Sequence, residues 1–538
     1  MGMARLSRFA RAEQATPEEL LERLAGSRQR DGARISRREF IAGAVAGAAA
    51  LTLPRRAFAN GGHSQPRVAI VGAGISGLNC ALALADAGVR ATVYEAAGRL
   101  GGRMFSNNSG YWSNNQVSEW GGELIDTNHE TIHSLAARFG LPLDDLAAAQ
   151  PAGSEETYFF DEKYYRRSEL LADFAPVLQA VLDDSDAAGY PTTYNSSTAA
   201  GRALDRMSVR EWIERRVPGG HDSKMGQLLD TAYSIEYGAD TRMQSALNLV
   251  YLLSGSDEDF EIFGASDERF HIRGGNQRLP LAIAAHLAAQ GMPVQTGMRL
   301  ASIGKRSDGA TRLIFETNGG CREVVADAVV LTLPFAVLRT LDDRGAGFDS
   351  LKRRVIDQLG RGRNGKLQLQ FTRRLWNSHG PWGLSTGSTF ADTGYQNTWD
   401  VTRAQPGASG ILVDYTGGST ADRRSTTVPF AFDGNSGVRR DAANFLQQIA
   451  PVFPGLAALW NGKVTSSLPH LSPFFNCSYS FWRVGQYQSF SGYEAAPQGS
   501  IFFAGEHTST DFQGFMEGAA AEGARAAGEV LTQLGVVH

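Results

Sequence analysis

Two hydrophobic rhythms run through the chain. Arg67 to Val71 is a short β-rich run. It is followed by glycines, then by Leu78 to Ala87, in which alanine and leucine recur at helical spacing. Arg90 to Tyr94 is a second short apolar run, so the segment predicts strand, turn, helix, strand. Ala328 to Pro334 reads as a buried strand closing the same sheet. Gly365 to Phe371 alternates polar and apolar residues, as a half-buried strand does. Residues 183–206, rich in Asp, Ser, Thr and Ala, and 403–437, rich in Gly, Ser, Thr and Arg, read as loops. Strands and helices mixed in this way predict an α/β class.

Length and charge narrow the picture. A chain of 538 residues exceeds one ordinary core, so two to four domains, or two large intertwined ones, are expected. Its 42% hydrophobic and 20% charged residues are ordinary globular values, and a net charge of -4 makes nucleic acid an unsuitable partner. Residues 1–59 hold 11 Arg against 6 acids, which leaves 41 basic and 50 acidic side chains in the rest. A basic leader precedes an acidic body.

That leader carries an address. Ser36-Arg37-Arg38-Glu39-Phe40 precedes an apolar run from Ile41 to Leu53, and Ala57-Phe58-Ala59 follows as a small-x-small cleavage pattern. This predicts a twin-arginine signal over 1–59 and export through the twin-arginine translocase. The mature chain is then periplasmic or secreted, with no transmembrane anchor, because 13 residues fall short of the ~20 needed to span a bilayer. Cys80, Cys321 and Cys477 are too few and too scattered for a disulfide framework or a metal site of the CxxC kind.

Gly72-Ala73-Gly74-Ile75-Ser76-Gly77 sits between the first strand and its helix. Gly72 allows the tight turn, Gly74 lets backbone approach a pyrophosphate, and Gly77 lets helix and strand pack closely. Free N–H groups at the helix start, around Ile75 and Ser76, face the phosphates. Glu95 ends the second strand, where its carboxylate can accept both ribose hydroxyls and disfavours a 2′-phosphate. The continuation Glu95-Ala96-Ala97-Gly98-Arg99-Leu100-Gly101-Gly102-Arg103 resembles the extension found in FAD enzymes of the amine oxidase superfamily. Gly101 and Gly102 then bring amides to the pyrophosphate, Arg103 supplies countercharge, and Arg99 is a further implied cofactor contact.

From here the likeness to the flavin monoamine oxidase family extends in pieces over about 66–530. Trp120-Gly121-Gly122-Glu123-Leu124-Ile125-Asp126 resembles the segment that passes the flavin ring. Arg273-Gly274-Gly275-Asn276-Gln277 resembles the block that opens the return to the FAD domain. Val294, in a strand Val294-Gln295-Thr296, is implied as a backbone contact of the adenine. Phe503-Ala504-Gly505-Glu506-His507 and Gln513-Gly514-Phe515-Met516 resemble the family's C-terminal signature. Glu506 is there implied to bond a ribityl hydroxyl, and the helix starting near Met516 aims its N-terminus at the flavin. His507 is read as structural.

The resemblance implies FAD in a discontinuous Rossmann-like domain at 66–150, 268–338 and 469–538. A substrate domain of mixed sheet and helices is implied at 151–267 and 339–468. Lys366 resembles the lysine that holds a water against flavin N5 and is the expected catalytic residue. Phe515 matches one wall of the aromatic cage. Ser478 stands where the other wall has tyrosine, leaving Tyr479 or Trp482 to rebuild it beside the flavin. Cys477 matches the position of covalent attachment in mitochondrial relatives, and non-covalent FAD is the favoured alternative.

The implied reaction is hydride transfer from an amine to flavin, giving an imine and, with O2, hydrogen peroxide. Glu123 and Asp126 oppose a carboxylate in their stretch and favour an amine or a diamine. An L-amino acid oxidase, a dehydrogenase passing electrons to cytochrome or quinone, a non-catalytic FAD-binding protein and a homodimeric assembly stay open.

Overall fold

The computed structural model describes residues 66–536 except residue 257. The twin arginines, the Ile41–Leu53 run and the Ala57–Ala59 triplet lie outside the described residues. Among the described residues no helix is long and apolar enough to cross a membrane.

A four-stranded parallel sheet anchors the nucleotide end, in the order Ala91–Tyr94, Val68–Val71, Ala328–Leu331, Ile501–Phe503. Every residue of the two central strands is buried, as a strand covered on both faces requires. One face packs on the helices Ile75–Asp86, Arg278–Ala289 and Met516–Gln533, the other on a largely antiparallel sheet through Leu300, Leu313 and Phe315. The first and last of those helices lie in contact. Asn79 Nδ2 donates to Ala520 O (2.8 Å), and a Cβ on Gly523 would stand 2.1 Å from Ser76 O.

Three local expectations change. The helix begins at Ile75, directly after Gly74, because the glycine turn ends there. Ala328–Leu331 is interior, and Ile501–Phe503 is the strand that closes the sheet. Val294–Thr296 forms no strand. Only Gln295 pairs, with its N–H on Val93 O (2.9 Å) and its carbonyl accepting from Glu95 N (2.8 Å).

The second layer system is an eight-stranded mixed sheet. Its order is Phe430–Phe432, Trp460–Ser467, Asn364–Phe371, Gly410–Gly417, Asn397–Asp400, Ser385–Ala391, Glu155–Phe160, Lys163–Tyr164. Leu367, Leu369 and Phe371 face a core with Trp376 and the helix Ser436–Ile449, while their even-numbered neighbours face the opposite side. Helices between 167 and 250 make a separate core with Tyr158, Phe160 and Phe390.

Both predicted loops contain regular structure. The helix Arg167–Ala188 runs into 183–206, and Ala199–Asp205 follows with Thr198 capping it by accepting from Gly201 N. Of the polar residues that suggested a loop, Thr198 is the cap, Asp183 and Asp186 face solvent, and Thr192 and Asp205 are buried. Within 403–437, Gly410–Gly417 is a central strand whose Ile411, Leu412 and Val413 are fully buried, so tertiary pairing overrode the glycine and threonine at its ends.

Candidate active site

The nucleotide end is built by backbone against backbone. Gly72 is left-handed (φ 109°), and a Cβ on Gly77 would lie 2.0 Å from Gly72 O. Gly74 pairs with Gly101, and Ala73 O accepts from Gly101 N (2.9 Å). The carboxylate of Glu95 ties the second strand to this turn, accepting from Ala73 N and Ala97 N at 2.8 Å each. Burial raises the Glu95 carboxyl despite those donors. Arg99 donates to Gly102 O (2.7 Å) and stacks over Phe105 (3.9 Å). Burial lowers its guanidinium to about 10.

These residues suit a dinucleotide. The helix Ile75–Asp86 has no side-chain cap at its N-terminus, and buried Ser76 Oγ lacks any partner. A Cβ on Gly74 would meet only Gly102 Cα, at 3.9 Å, so the turn presents bare backbone. A second uncapped N-terminus, that of Met516–Gln533, lies at Gly122, where a Cβ would touch Met516 Sδ at 2.8 Å. One helix start marks the Glu95 end of the cradle, the other the Lys366 end.

Between them Arg103 donates to Ser478 O and to Glu506 Oε1, both 2.9 Å. Glu506 Oε2 also accepts from Ser480 Oγ (2.7 Å) and Gly514 N (3.0 Å). Burial favours the neutral form of Glu506, but Arg103, His507 and the Ser480 hydrogen bond together outweigh it, so the carboxyl sits below its usual range. Cys477 is buried alongside, its Sγ 3.3 Å from Phe475 O, and burial pushes the thiol up to about 11. His507 packs on Phe335 (4.3 Å between ring centres). Its two ring nitrogens have no partner, and burial lowers it to about 4.

At the other end Lys366 belongs to the third strand from one edge of the large sheet. Its Nζ donates to Gly121 O (2.8 Å) and Glu123 Oε2 (2.6 Å), and it stands 5.4 Å from the Trp399 ring centre. Trp399 Nε1 donates to the other oxygen of Glu123 (2.9 Å). Burial alone would raise the Glu123 carboxyl; the Lys366 charge and these hydrogen bonds hold it below the usual carboxylate range.

Tyr415 lies opposite Lys366 in the sheet. It packs on Trp399 (5.1 Å), and its hydroxyl is 3.0 Å from that of Tyr479. Tyr479 also borders Gly514, beside Phe515. Ser478 instead turns to Asn364 Oδ1 (2.5 Å). The structure therefore brings Glu123, Lys366, Tyr479 and Gly514 together. It places Trp482 against Tyr487 and Phe490 in a separate core, and Val294 against the core behind the glycine turn.

Sequence reasoning found Asp126 but missed two acids that join it, Glu236 and Glu268. Asp126 is buried beside His129 (3.2 Å), and its Oδ1 accepts from Glu268 N (2.9 Å). Glu268 is itself left-handed (φ 46°). Burial, then the Asp126 charge, lifts Glu268 to about 8 and Glu236 to about 7. Both keep part of their surface accessible, as carboxyls lining an internal space do. The available signal for Glu236 was a lone acid between Ile235 and Tyr237 near the end of an otherwise buried helix face.

A dinucleotide cradle that meets a lysine and an aromatic wall defines a flavin-dependent oxidoreductase. The family model for flavin containing amine oxidoreductase matches residues 75–531, so the chain belongs to that family and is a flavin-containing amine oxidase. It is 25% identical to polyamine oxidase 1 of Zea mays over 486 residues, 84% of this chain and 88% of that one. It is equally 25% identical to the putative L-amino-acid oxidase YobN of Bacillus subtilis over 496 residues, 86% and 94% of the two chains. Its fold is similar to that of cyclohexylamine oxidase from Brevibacterium oxydans, with TM-score 0.72 at 20% identity, covering 88% of this chain and all of that one.

Proposed function

We propose that the chain oxidises an amine that carries a second cationic nitrogen, using non-covalent FAD and O2, and that it acts outside the cytoplasm after twin-arginine export. The observation that carries the substrate reading is the acid group of Asp126, Glu236 and Glu268 beyond the Trp399, Tyr415 and Tyr479 rings. Bound FAD would supply the hydride acceptor and the route of electrons to oxygen, with an imine and hydrogen peroxide as the products.

This chain's residues do the rest. The uncapped helix at Ile75, with Ser76 and the glycine turn, holds the phosphates. Glu95 faces the ribose, while Glu506, Arg103 and Gly514 line the flavin end. The rings of Tyr415, Tyr479 and Trp399 attract the ammonium on entry and then, by excluding water, favour its neutral form. Glu236, poised near neutrality, can take the released proton. The Lys366 ammonium supplies fixed positive charge where reduced oxygen species develop, with Glu123 and Gly121 O fixing its direction. The protonated Cys477 thiol is a poor nucleophile, which supports non-covalent attachment.

Anaerobic stopped-flow mixing with putrescine, cadaverine and monoamines tests the reading. Flavin bleaching by the diamines ahead of the monoamines, then fast reoxidation on mixing with O2, is expected. No bleaching by any amine overturns catalysis, and slow reoxidation that a quinone or cytochrome relieves overturns the oxidase. Replacing Arg37 and Arg38 by Lys should retain the protein in the cytoplasm.

A further inference from the structure

Two adjacent glycines carry the backbone to which Lys366 is tied. Each is required by space: a Cβ on Gly121 would stand 2.0 Å from Arg103 O, and one on Gly122 would stand 2.8 Å from Met516 Sδ. A glycine pair is also the least self-restrained backbone a chain can have. Lys366 takes its direction from that stretch, since its Nζ donates to Gly121 O and to Glu123 Oε2. An ammonium has three N–H groups, so once two are fixed the third has one direction.

The fold restrains the pair from outside. Five successive carbonyls each accept from a side chain. Gln368 Nε2 donates to Glu119 O (2.8 Å), Ser467 Oγ to Trp120 O (2.6 Å) and Lys366 Nζ to Gly121 O (2.8 Å). Asn276 Nδ2 then donates to both Gly122 O (3.1 Å) and Glu123 O (2.6 Å). Ser467 is the sheet neighbour of Lys366, and Gln368 follows on the same face of the lysine's strand. Gly121 O, the acceptor of Lys366, therefore lies between one carbonyl pinned by Ser467 and another pinned by Asn276.

Asn276 is itself held. It is fully buried, and its Oδ1 accepts from Ile272 N (3.0 Å), which leaves Nδ2 to face the carbonyls. Its backbone N–H donates to Glu119 Oε1 (2.8 Å). That buried carboxylate also accepts from Ser106 Oγ (2.8 Å) and lies 2.9 Å from His271 Nε2. Gly275 makes the close approach possible, being left-handed (φ 110°) where a Cβ would stand 2.5 Å from Ser106 Oγ.

We propose that Asn276 and Ser467 are positioning residues for flavin reoxidation: they fix the peptides on either side of Gly121 O and so aim the remaining N–H of Lys366. Their role rests on the reading of Lys366 as the charge that serves reduced oxygen. They act through the lysine alone, so their removal should matter only while the lysine is there.

A double-mutant cycle on the holoenzyme, read in stopped flow, tests this. Asn276→Ala should slow reoxidation by O2 roughly 10-fold or more, with a smaller change in bleaching by amine. In a Lys366→Met background the same replacement should change reoxidation by less than about twofold, because nothing is left to aim. Equal slowing in both backgrounds, or no slowing in the first, overturns the positioning. Should Asn276→Ala be purified without flavin, Ser467→Ala removes a single donor to the same backbone and enters the same cycle, with the same outcomes deciding. Should Lys366→Met reoxidise at the wild-type rate, the reading of Lys366 fails by itself. The aim is then read from the flavin absorption bands: a shift common to Lys366→Met and the positioning variant, and not summed in the double variant, retains it. Any other pattern overturns it.

Discussion

The two ends of the site are built by opposite means. At the nucleotide end, Gly72, Gly74, Gly77, Glu95, Gly101 and Gly102 lie within about thirty residues, and almost every contact is backbone on backbone. At the substrate end, Glu123, Glu236, Glu268, Lys366, Trp399, Tyr415 and Tyr479 come from distant segments and meet through charged and aromatic side chains. Errors at the first end should cost the cofactor, while errors at the second should spare it and change kinetics.

The sharpest break is Gly77→Ala. Its Cβ would lie 2.0 Å from Gly72 O, backbone that cannot turn aside, so a loss of about 3 kcal/mol or more is expected. Purified protein should be colourless by its flavin-to-protein absorbance ratio, with a lowered Tm. A yellow, stable variant would refute the tight-turn account.

Lys366→Met should keep the flavin and slow reoxidation by O2 roughly 10²-fold in stopped flow. It also leaves Glu123 buried with only Trp399 as partner, at a cost of about 3 kcal/mol. Adding Glu123→Gln should recover most of the thermal stability but not the reoxidation rate. That split separates the ion pair's structural part from its chemical one.

Charge at the acid group should show in the pH profile. Below about 7 Glu236 and Glu268 are both neutral, and above about 8 both are anionic, so affinity for a dication rises across that window. Glu268→Gln should flatten the upper part of the rise and increase KM for diamines about tenfold, leaving monoamines less affected. An unchanged profile would remove Glu268 from the site.

The smallest effect belongs to Cys477→Ala. Acid precipitation of the wild type should release all flavin into the supernatant, and the variant should keep its flavin and its kcat to within about twofold. Yellow precipitate from the wild type alone would establish a covalent bond.

The same contrast explains what the sequence made legible. The glycine turn announces itself because each glycine answers a local steric demand, and Glu95 follows at a spacing fixed by strand and helix lengths. Lys366 was found through its resemblance to the family's lysine, and the alternation around it marked the strand, although that strand is interior to the sheet. Glu268 gave no such sign, because its place depends on a left-handed backbone and a hydrogen bond to Asp126, 142 residues earlier. Gly410–Gly417 was hidden for a related reason: pairing along both edges of the strand outweighs its loop-like flanks.

The contact between the helices Ile75–Asp86 and Met516–Gln533 bears on biosynthesis. Ile501–Phe503 and Met516–Gln533 are translated long after the helix that begins at Ile75, yet they complete the sheet and cover that helix. A nascent chain on the ribosome thus holds an open half-fold, with apolar Val330 and Leu331 awaiting their neighbour. Cofactor loading should await the translation of these segments, and chaperone dependence should be concentrated in the interval before it.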